Sequence, residues 1–369
     1  MRFPWGCYTT FMKILAFETS CDETALALLE ATGGLKSPKF KVVENLVSTQ
    51  INIHRPFGGV VPNLAKREHL KNLPVLLKRI LNSSAKGGSA SGGKSYLPRR
   101  QAGILNSIDL VAVTVGPGLE PALWTGVVFA KELAKKYKKP LIGGNHLEGH
   151  LYSFLLSHKK PVKFPAIGLI VSGGHTILLN MESLTSWKKI GETRDDAVGE
   201  AFDKVARILG LPYPGGPEVE KLAKSGKVTI DFPRPMLTHK NYDFSFSGLK
   251  TSVLYFLRDN PLPTGRQAKA KKADIAASFQ QAAIDVLVKK TINAAQSFGA
   301  KTIILGGGVA ANKALRDTLK KEAKRVRKEF LVPKSEFNTD NAAMIAAASY
   351  INFLKKKKYK ITAQANLNM

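Results

Sequence analysis

One stretch of plan is used twice, and that repetition constrains the fold more than any other feature. Residues 13–30, KILAFETSCDETALALLE, read as two apolar runs joined by a polar turn; residues 166–180, AIGLIVSGGHTILLN, repeat the plan around a glycine turn. Downstream of each hairpin comes a short apolar run that ends in glycine and opens a helix. The first is DLVAVTVGPG, Asp109 to Gly118, with a helix over 119–137; the second is KTIILGGGVAANKALRDTL. Short apolar runs bounded by glycine read as buried strands, and strands alternating with helix-period segments give an α/β protein. A plan that recurs at this scale predicts an ancient duplication: two α/β lobes, each aiming a hairpin turn at a shared cleft. The reading divides the chain into an N-terminal tail (1–12), a first lobe (13–160), a second lobe (161–340) and a final helix with a basic tail (341–369) that returns to the first lobe.

Two basic, glycine- and proline-bearing stretches interrupt this plan, at 83–103 and 259–274, and both read as inserts by composition. They contribute to a large charge imbalance: 56 Lys and Arg oppose 28 Asp and Glu, a net +28. Such an excess favours a polyanionic partner, because cations that neutralise phosphates release counterions whatever the base sequence. With 44% hydrophobic residues the chain can still bury a large core. Only Cys7 and Cys21 are present, which rules out a disulfide framework and a cysteine zinc site and fits a reducing cytoplasm. No apolar run approaches the ~18 residues of a membrane span, and no secretory leader is read at the start.

The segment NHLEGHL, residues 145–151, carries the most pointed chemistry. His146 and His150 stand at i and i+4 on a predicted helix, so both imidazoles project from one face and can share a cation. In the His-Glu-x-x-His protease motif the Glu follows the first His directly. Here Glu148 lies two residues on, about 200° around the helix, so the hydrolytic base is missing. A third, anionic ligand is required, and Asp340 in FNTDNAAMIAAASY leads, because small residues let that helix approach closely. A plain helix cap competes for the same Asp. SGGH (Ser172 to His175), YPGGPE and LGGGVAAN offer backbone N–H groups suited to phosphate. None is a Walker A or a Gly-x-Gly-x-x-Gly element. Between them, Glu200, Asp203, Lys204 and Arg207 fall on one side of a helix and serve either a solvated surface or ribose hydroxyls. DFSFSGLKTSV, with Lys250, opens another helix and reads as a phosphate or RNA contact or as a bare turn.

Taken in order, FETSCDETALAL, HRPFGGVVPNLAKREH, GPGLEPAL, HLEGH, LIVSGGHT, DDAVGEAFDKVARILGLPYPGGPEVE, FSFSGLKT, GGGVAAN and TDNAAMIA closely resemble the tRNA N6-adenosine threonylcarbamoyltransferase family, once described as O-sialoglycoprotein endopeptidases. The resemblance spans roughly residues 13–354. It implies the duplicated actin/hexokinase/Hsp70-like fold and transfer of a threonylcarbamoyl group from threonylcarbamoyladenylate to N6 of adenosine 37 in tRNAs that read codons beginning with A. It implies His146, His150 and Asp340 as ligands of one Fe(2+) per subunit, with Zn(2+) as the alternative. Ile170, Val171, Ser172, Gly173, Gly174, Asp203, Gly216, Glu220 and Asn312 would contact the adenylate, and Asp22 and Glu23 match an acidic pair that helps organise catalysis. Implied partners are tRNA, a paralogous subunit and a small ATPase, in the cytoplasm, without a membrane.

The chain departs from the family pattern in places. Asn145 stands where relatives often carry a basic residue or His, and the end, KKKKYKITAQANLNM, lacks the Arg-Pro-Arg-Trp-like tail. Two rival readings remain at this level. An ATP-dependent kinase of the same fold would use the glycine turns but leave the histidine pair idle, and a non-enzymatic nucleic-acid binder would need only the charge.

Overall fold

The computed structural model describes residues 11–83 and 103–369. The tail expected over residues 1–12, up to residue 10, Cys7 and nearly all of the first basic insert lie outside the described residues.

In chain order the first elements are β1 (Met12–Glu18), β2 (Glu23–Thr32), β3 (Lys39–Thr49), α1 (Pro62–Ser83), β4 (Leu110–Gly116), α2 (Glu120–Lys136), β5 (Leu141–Asn145) and α3 (His146–Tyr152). There follow β6 (Ala166–Val171), β7 (Thr176–Met181), β8 (Trp187–Glu192), α4 (Val198–Ile208), α5 (Gly215–Ala223), α6 (Ser247–Asp259), α7 (Gly265–Ser297), β9 (Thr302–Gly306), α8 (Lys313–Arg325), β10 (Glu329–Leu331) and α9 (Ala342–Lys355). They form two compact units. One takes the chain up to His54, Val60–Pro161 and Asp340–Met369; the other takes Arg55–Gly59 and Val162–Thr339.

Each unit is built on a five-stranded sheet, ordered β3-β2-β1-β4-β5 in the first and β10-β9-β6-β7-β8 in the second. Read from the opposite edge, the second order is 8-7-6-9-10, the topology of the first. In both, the three leading strands are antiparallel neighbours and the last two join in parallel. Even an irregularity recurs: the register shifts between Leu28 and Leu29 on β2 and between Leu178 and Leu179 on β7. The duplicated α/β architecture expected from the sequence is therefore present strand for strand.

In the first unit β4, LVAVTVG, is buried at every residue, as a β-branched run covered on both faces must be. Leu15, Phe17, Val111 and Val113 pack with Leu76 and Ile80 of α1 and Val127 of α2 on one face. Ile14 and Ala16 alternate onto the other, where α9 packs against β1, β2 and β5. In the second unit Ile167, Leu169 and Leu305 meet Phe202 and Val205 of α4 and Ile275 and Phe279 of α7. The second basic insert differs from its loop-like composition. From Gly265 onward it is the opening of the 33-residue α7, because Arg266 to Ala273 are mostly strong helix formers and Ala273 is buried.

Candidate functional site

Asn145 ends β5 and caps α3. Its Oδ1 accepts hydrogen bonds from the N–H groups of Leu147 (2.9 Å) and Glu148 (3.2 Å), which makes His146 the first helical residue. His150 follows one turn later on the same face. The two rings lie edge to face, 4.6 Å between centroids. The third group arrives on the residue before the cap of α9. Asn341, not Asp340, is the cap of that helix, accepting from Met344 N–H at 3.0 Å, and the Asp340 carboxylate turns to the histidines. Its Oδ1 is 3.1 Å from His150 Nε2 and 3.5 Å from His146 Nε2.

Small residues make this approach feasible. A Cβ on Gly144 would stand 2.9 Å from Ile345 Cγ2, and one on Gly149 would stand 3.0 Å from Ile345 Cδ1. With alanine at 342, 343, 346, 347 and 348, α9 lies against β5 and α3, and Asp340 is carried to the histidine face.

Behind His146 lies a second layer. Glu18 Oε2 is 3.0 Å from His146 Nδ1, and Ser20 Oγ is 3.1 Å from the same nitrogen. Thr114 Oγ1 donates to Glu18 Oε2 at 2.8 Å and Ser20 N–H to Oε1 at 2.5 Å. Burial works against a charge on His146, but the Asp340 and Glu18 carboxylates outweigh it and lift its pKa to about 9. His150 moves the other way, lowered by burial despite Asp340 and further by the charge on His146. Both ring nitrogens of His150 are buried without a well-formed hydrogen bond: Nε2 has the Asp340 carboxylate 3.1 Å away, and Nδ1 has no partner. Buried, orphaned imidazole nitrogen beside a carboxylate is what a cation site needs. The ligand atoms of the three residues lie within 4.8 Å of one another. Separations of 3.1 and 3.5 Å suit adjacent ligands on an ion bonded at about 2.1 Å. Two imidazoles and one carboxylate fit iron(II) or zinc.

Asp22 and Glu23 occupy the β1–β2 turn of the same unit. Burial, then the Asp22 and Asp340 carboxylates, pushes the Glu23 carboxyl well above its usual range. The Cys21 thiol is pushed up chiefly by burial, which removes it as a nucleophile. Glu148 is fully buried but turned from the histidines: it accepts from Asn352 Nδ2 at 2.6 Å and from Lys357 Nζ at 2.7 Å.

The remaining expected residues all lie in the second unit. Ile170 and Val171 end β6, and Ser172, Gly173 and Gly174 form the turn to β7, where Ser172 N–H bonds to His175 O at 2.8 Å. No atom lies within 4 Å of a Cβ added to Gly173, Gly174 or Gly216, so these backbones are open to a ligand. Asp203 on α4 accepts from Gly215 N–H, the first residue of α5, at 2.7 Å. Glu220 on α5 accepts from Lys313 N–H, the first residue of α8, at 3.0 Å. Asn312 caps α8 through Leu315 N–H and donates to Gln280 Oε1 at 2.8 Å. Asp203, Gly216, Glu220 and Asn312 are thus gathered at two helix starts, those of α5 and α8. Lys204 is occupied by Asp196 and Glu200, and Arg207 by Gly58 O. The start of α6, open as a phosphate contact on sequence, is capped from within by Asp195, which accepts from Phe246 N–H and Ser247 N–H.

Sequence reasoning missed Glu18, Ser20 and Thr114. The available signal was a lone carboxylate at the end of an apolar strand, LAFE, since Glu is rarely fully buried without a partner.

The TsaD family model, tRNA N6-adenosine threonylcarbamoyltransferase, matches residues 41–89 and 99–347. Proteins of that name are similar along nearly the whole chain: 47% identity over 97% of this chain and 100% of the protein of Thermosipho melanesiensis. The figures are 46% over 92% and 93% for Kosmotoga olearia, and 45% over 94% and 94% for Moorella thermoacetica. Among solved structures, HypF of T. kodakarensis shares the fold at 13% identity and a TM-score of 0.56, with 96% of this chain and 50% of that one covered. Full-length HypF in its phosphate- and nucleotide-bound form gives 12% and 0.56, with 57% of its length covered; this chain spans about half the length of the HypF chains. A full-length match at this identity, over a fold duplicated in the expected way, makes the chain a transferase belonging to the tRNA N6-adenosine threonylcarbamoyltransferase family.

Proposed function

We propose that this enzyme transfers the threonylcarbamoyl group of L-threonylcarbamoyladenylate to N6 of adenosine 37 in tRNAs that read ANN codons, releasing AMP. The single observation that carries the reading is the convergence of His146, His150 and Asp340 on one point, with their ligand atoms within 4.8 Å. These three would hold one iron(II) ion per subunit, with zinc as the alternative. Bound there, such an ion supplies Lewis acidity toward a carbonyl oxygen and a template for the acyl group.

The chain's own groups account for the rest. The bond from N6 to the carbamoyl carbon forms as the bond from that carbon to the AMP phosphate oxygen breaks, and N6 gives up one proton. Asp22 takes that proton, beside Glu23, whose carboxyl burial pushes up and so makes the poorer acceptor of negative charge. The open N–H groups of Gly173 and Gly174 hold the phosphate of the adenylate and of departing AMP, in the turn that Ser172 begins. Asp203 and Glu220 take the ribose hydroxyls, beside the exposed backbone of Gly216 and the Asn312 cap, and Ile170 and Val171 set the floor of the turn. The net +28 charge draws the tRNA backbone, so the reaction should weaken as salt rises. A paralogous partner subunit and a small ATPase support turnover in the cytoplasm. Among the described residues no helix is long and apolar enough to cross a membrane.

The test incubates the purified protein and its family partners with unmodified tRNA and threonylcarbamoyladenylate, and reads digested nucleosides by mass spectrometry. Threonylcarbamoyladenosine at position 37 is expected. Unmodified adenosine throughout, with ATP-dependent phosphorylation of a small hydroxyl compound instead, would transfer the reading to a kinase.

A further inference from the structure

We infer that Glu18 is a positioning residue for the metal centre: its carboxylate holds His146 as the Nδ1–H tautomer, with Nε2 turned to the ion shared with His150 and Asp340. The inference rests on the metal-site reading above and adds a residue that neither the histidine spacing nor the acidic pair points to.

Glu18 is the last residue of β1 and is completely buried. An ionised carboxylate accepts hydrogen bonds and donates none. Two donors of the protein fix it in place, Ser20 N–H on Oε1 and Thr114 Oγ1 on Oε2. Its remaining acceptor capacity faces His146 Nδ1 at 3.0 Å. Nδ1 must then keep its hydrogen, so the proton given up when an ion binds is the one on Nε2, the nitrogen 3.5 Å from Asp340 Oδ1, and the lone pair appears there. Ser20 Oγ, 3.1 Å from Nδ1, adds a second acceptor for the same hydrogen. A carboxylate behind a ligating imidazole fixes ring orientation and raises ligand basicity.

His150 supplies an internal contrast. Its Nδ1 is buried without a hydrogen-bond partner, so no carboxylate stands behind its ring. The two histidines are therefore unequal, and loss of Glu18 acts on one of them.

The experiment compares the wild-type chain with Glu18→Gln, Glu18→Ala and Thr114→Val, each stripped of metal. Zinc affinity is measured by chelator competition, the cobalt(II) visible spectrum reports ligand geometry, and melting of the metal-free protein reports folding. Glu18→Ala should weaken zinc binding by about 10- to 100-fold and shift the cobalt bands. Glu18→Gln, whose amide oxygen can accept the same hydrogen, should recover part of that loss. Thr114→Val frees Oε2 from its anchor and should give a smaller loss in the same direction. If Glu18→Ala does not fold, the other two variants decide. Zinc affinity and cobalt spectra equal to wild type in folded Glu18→Gln and Thr114→Val would overturn the inference, even if both melt earlier. A wild-type chain that binds neither zinc nor cobalt would instead remove the metal reading itself, and this inference with it.

Discussion

Glu148 lies between the two histidines in sequence, and its truncation separates a structural carboxylate from a hydrolytic one. Its side chain is 1% exposed and its Lys357 partner 32% exposed, while Asn352 is fully buried. Glu148→Ala leaves the Asn352 amide as an unpaired buried donor, a loss of about 1–3 kcal/mol. Breaking a wholly buried ion pair costs about 3–5 kcal/mol, but Lys357 can turn to water, so its share falls to about 1 kcal/mol. The sum is about 2–4 kcal/mol, held between α3 and α9 with the residues that follow it. At about 2–4 °C per kcal/mol for a body of 150–250 residues, the metal-free protein should melt roughly 5–15 °C earlier by scanning fluorimetry. Glu148→Gln should melt between wild type and Glu148→Ala and keep wild-type zinc affinity. Adding Lys357→Met to Glu148→Ala should cost less than the two single losses together, because the ammonium has already lost its partner. A melting shift under about 2 °C for Glu148→Ala would refute the tether, and zinc affinity lost in Glu148→Gln would return the carboxylate to the metal.

Three further outcomes follow from the same geometry. His146→Ala and Asp340→Ala should each retain less than about a tenth of wild-type metal by elemental analysis and abolish threonylcarbamoyladenosine formation, with the fold preserved by circular dichroism. Gly144→Ala places a Cβ 2.9 Å from Ile345 Cγ2 and 3.2 Å from Ser349 Oγ; overpacking of this kind costs about 1–3 kcal/mol, and zinc affinity should fall too, because α9 carries Asp340. His69 is buried, bonded to Thr24 and Cys21 O, and burial lowers its pKa. The unfolded chain then takes up a proton near pH 6.5 that the folded chain refuses, so stability contributed by neutral His69 is present above that pH and lost as pH falls through it. The stability gap between wild type and His69→Gln should therefore narrow between pH 7.5 and 5.5, read as melting temperature.

The strand-turn-helix repetition was legible because it uses the strongest local signals available, short apolar runs punctuated by glycine. β8 was not: WKKIGE alternates imperfectly and is half exposed, as an edge strand is. The opening of α7 misled for a related reason. Basic, alanine-bearing sequence is compatible with both an insert and a helix, and the decision came from Ala273 and Ile275 meeting the core. At the site, i, i+4 spacing set two histidines on one face, but no spacing relates Glu18 to His146, 128 positions away. Pairing of that kind is a product of parallel β1 and β4, which bring Glu18 and Thr114 side by side before β5 delivers α3.

The duplication also explains why the acidic and glycine-rich groups belong to different units. The β1–β2 turn and the β6–β7 turn occupy the same position in the same topology. In the first unit the position carries Ser20, Cys21, Asp22 and Glu23, largely buried and close enough to Asp340 for its charge to act on Glu23. In the second it carries Ser172, Gly173 and Gly174, with both glycines exposed and no atom near their missing side chains. Carboxylates in that turn reinforce a cation site and repel phosphate; bare N–H groups attract phosphate and offer a cation nothing. A single turn cannot serve both needs, because each chemistry excludes the other's ligand. Two copies of one fold can divide them, and substitution in either turn should then damage one function alone. Gly173→Asp should weaken AMP binding by calorimetry without changing zinc affinity, whereas Asp22→Asn should lower zinc affinity without changing AMP binding; loss of both by either variant would show that the two turns do not act separately.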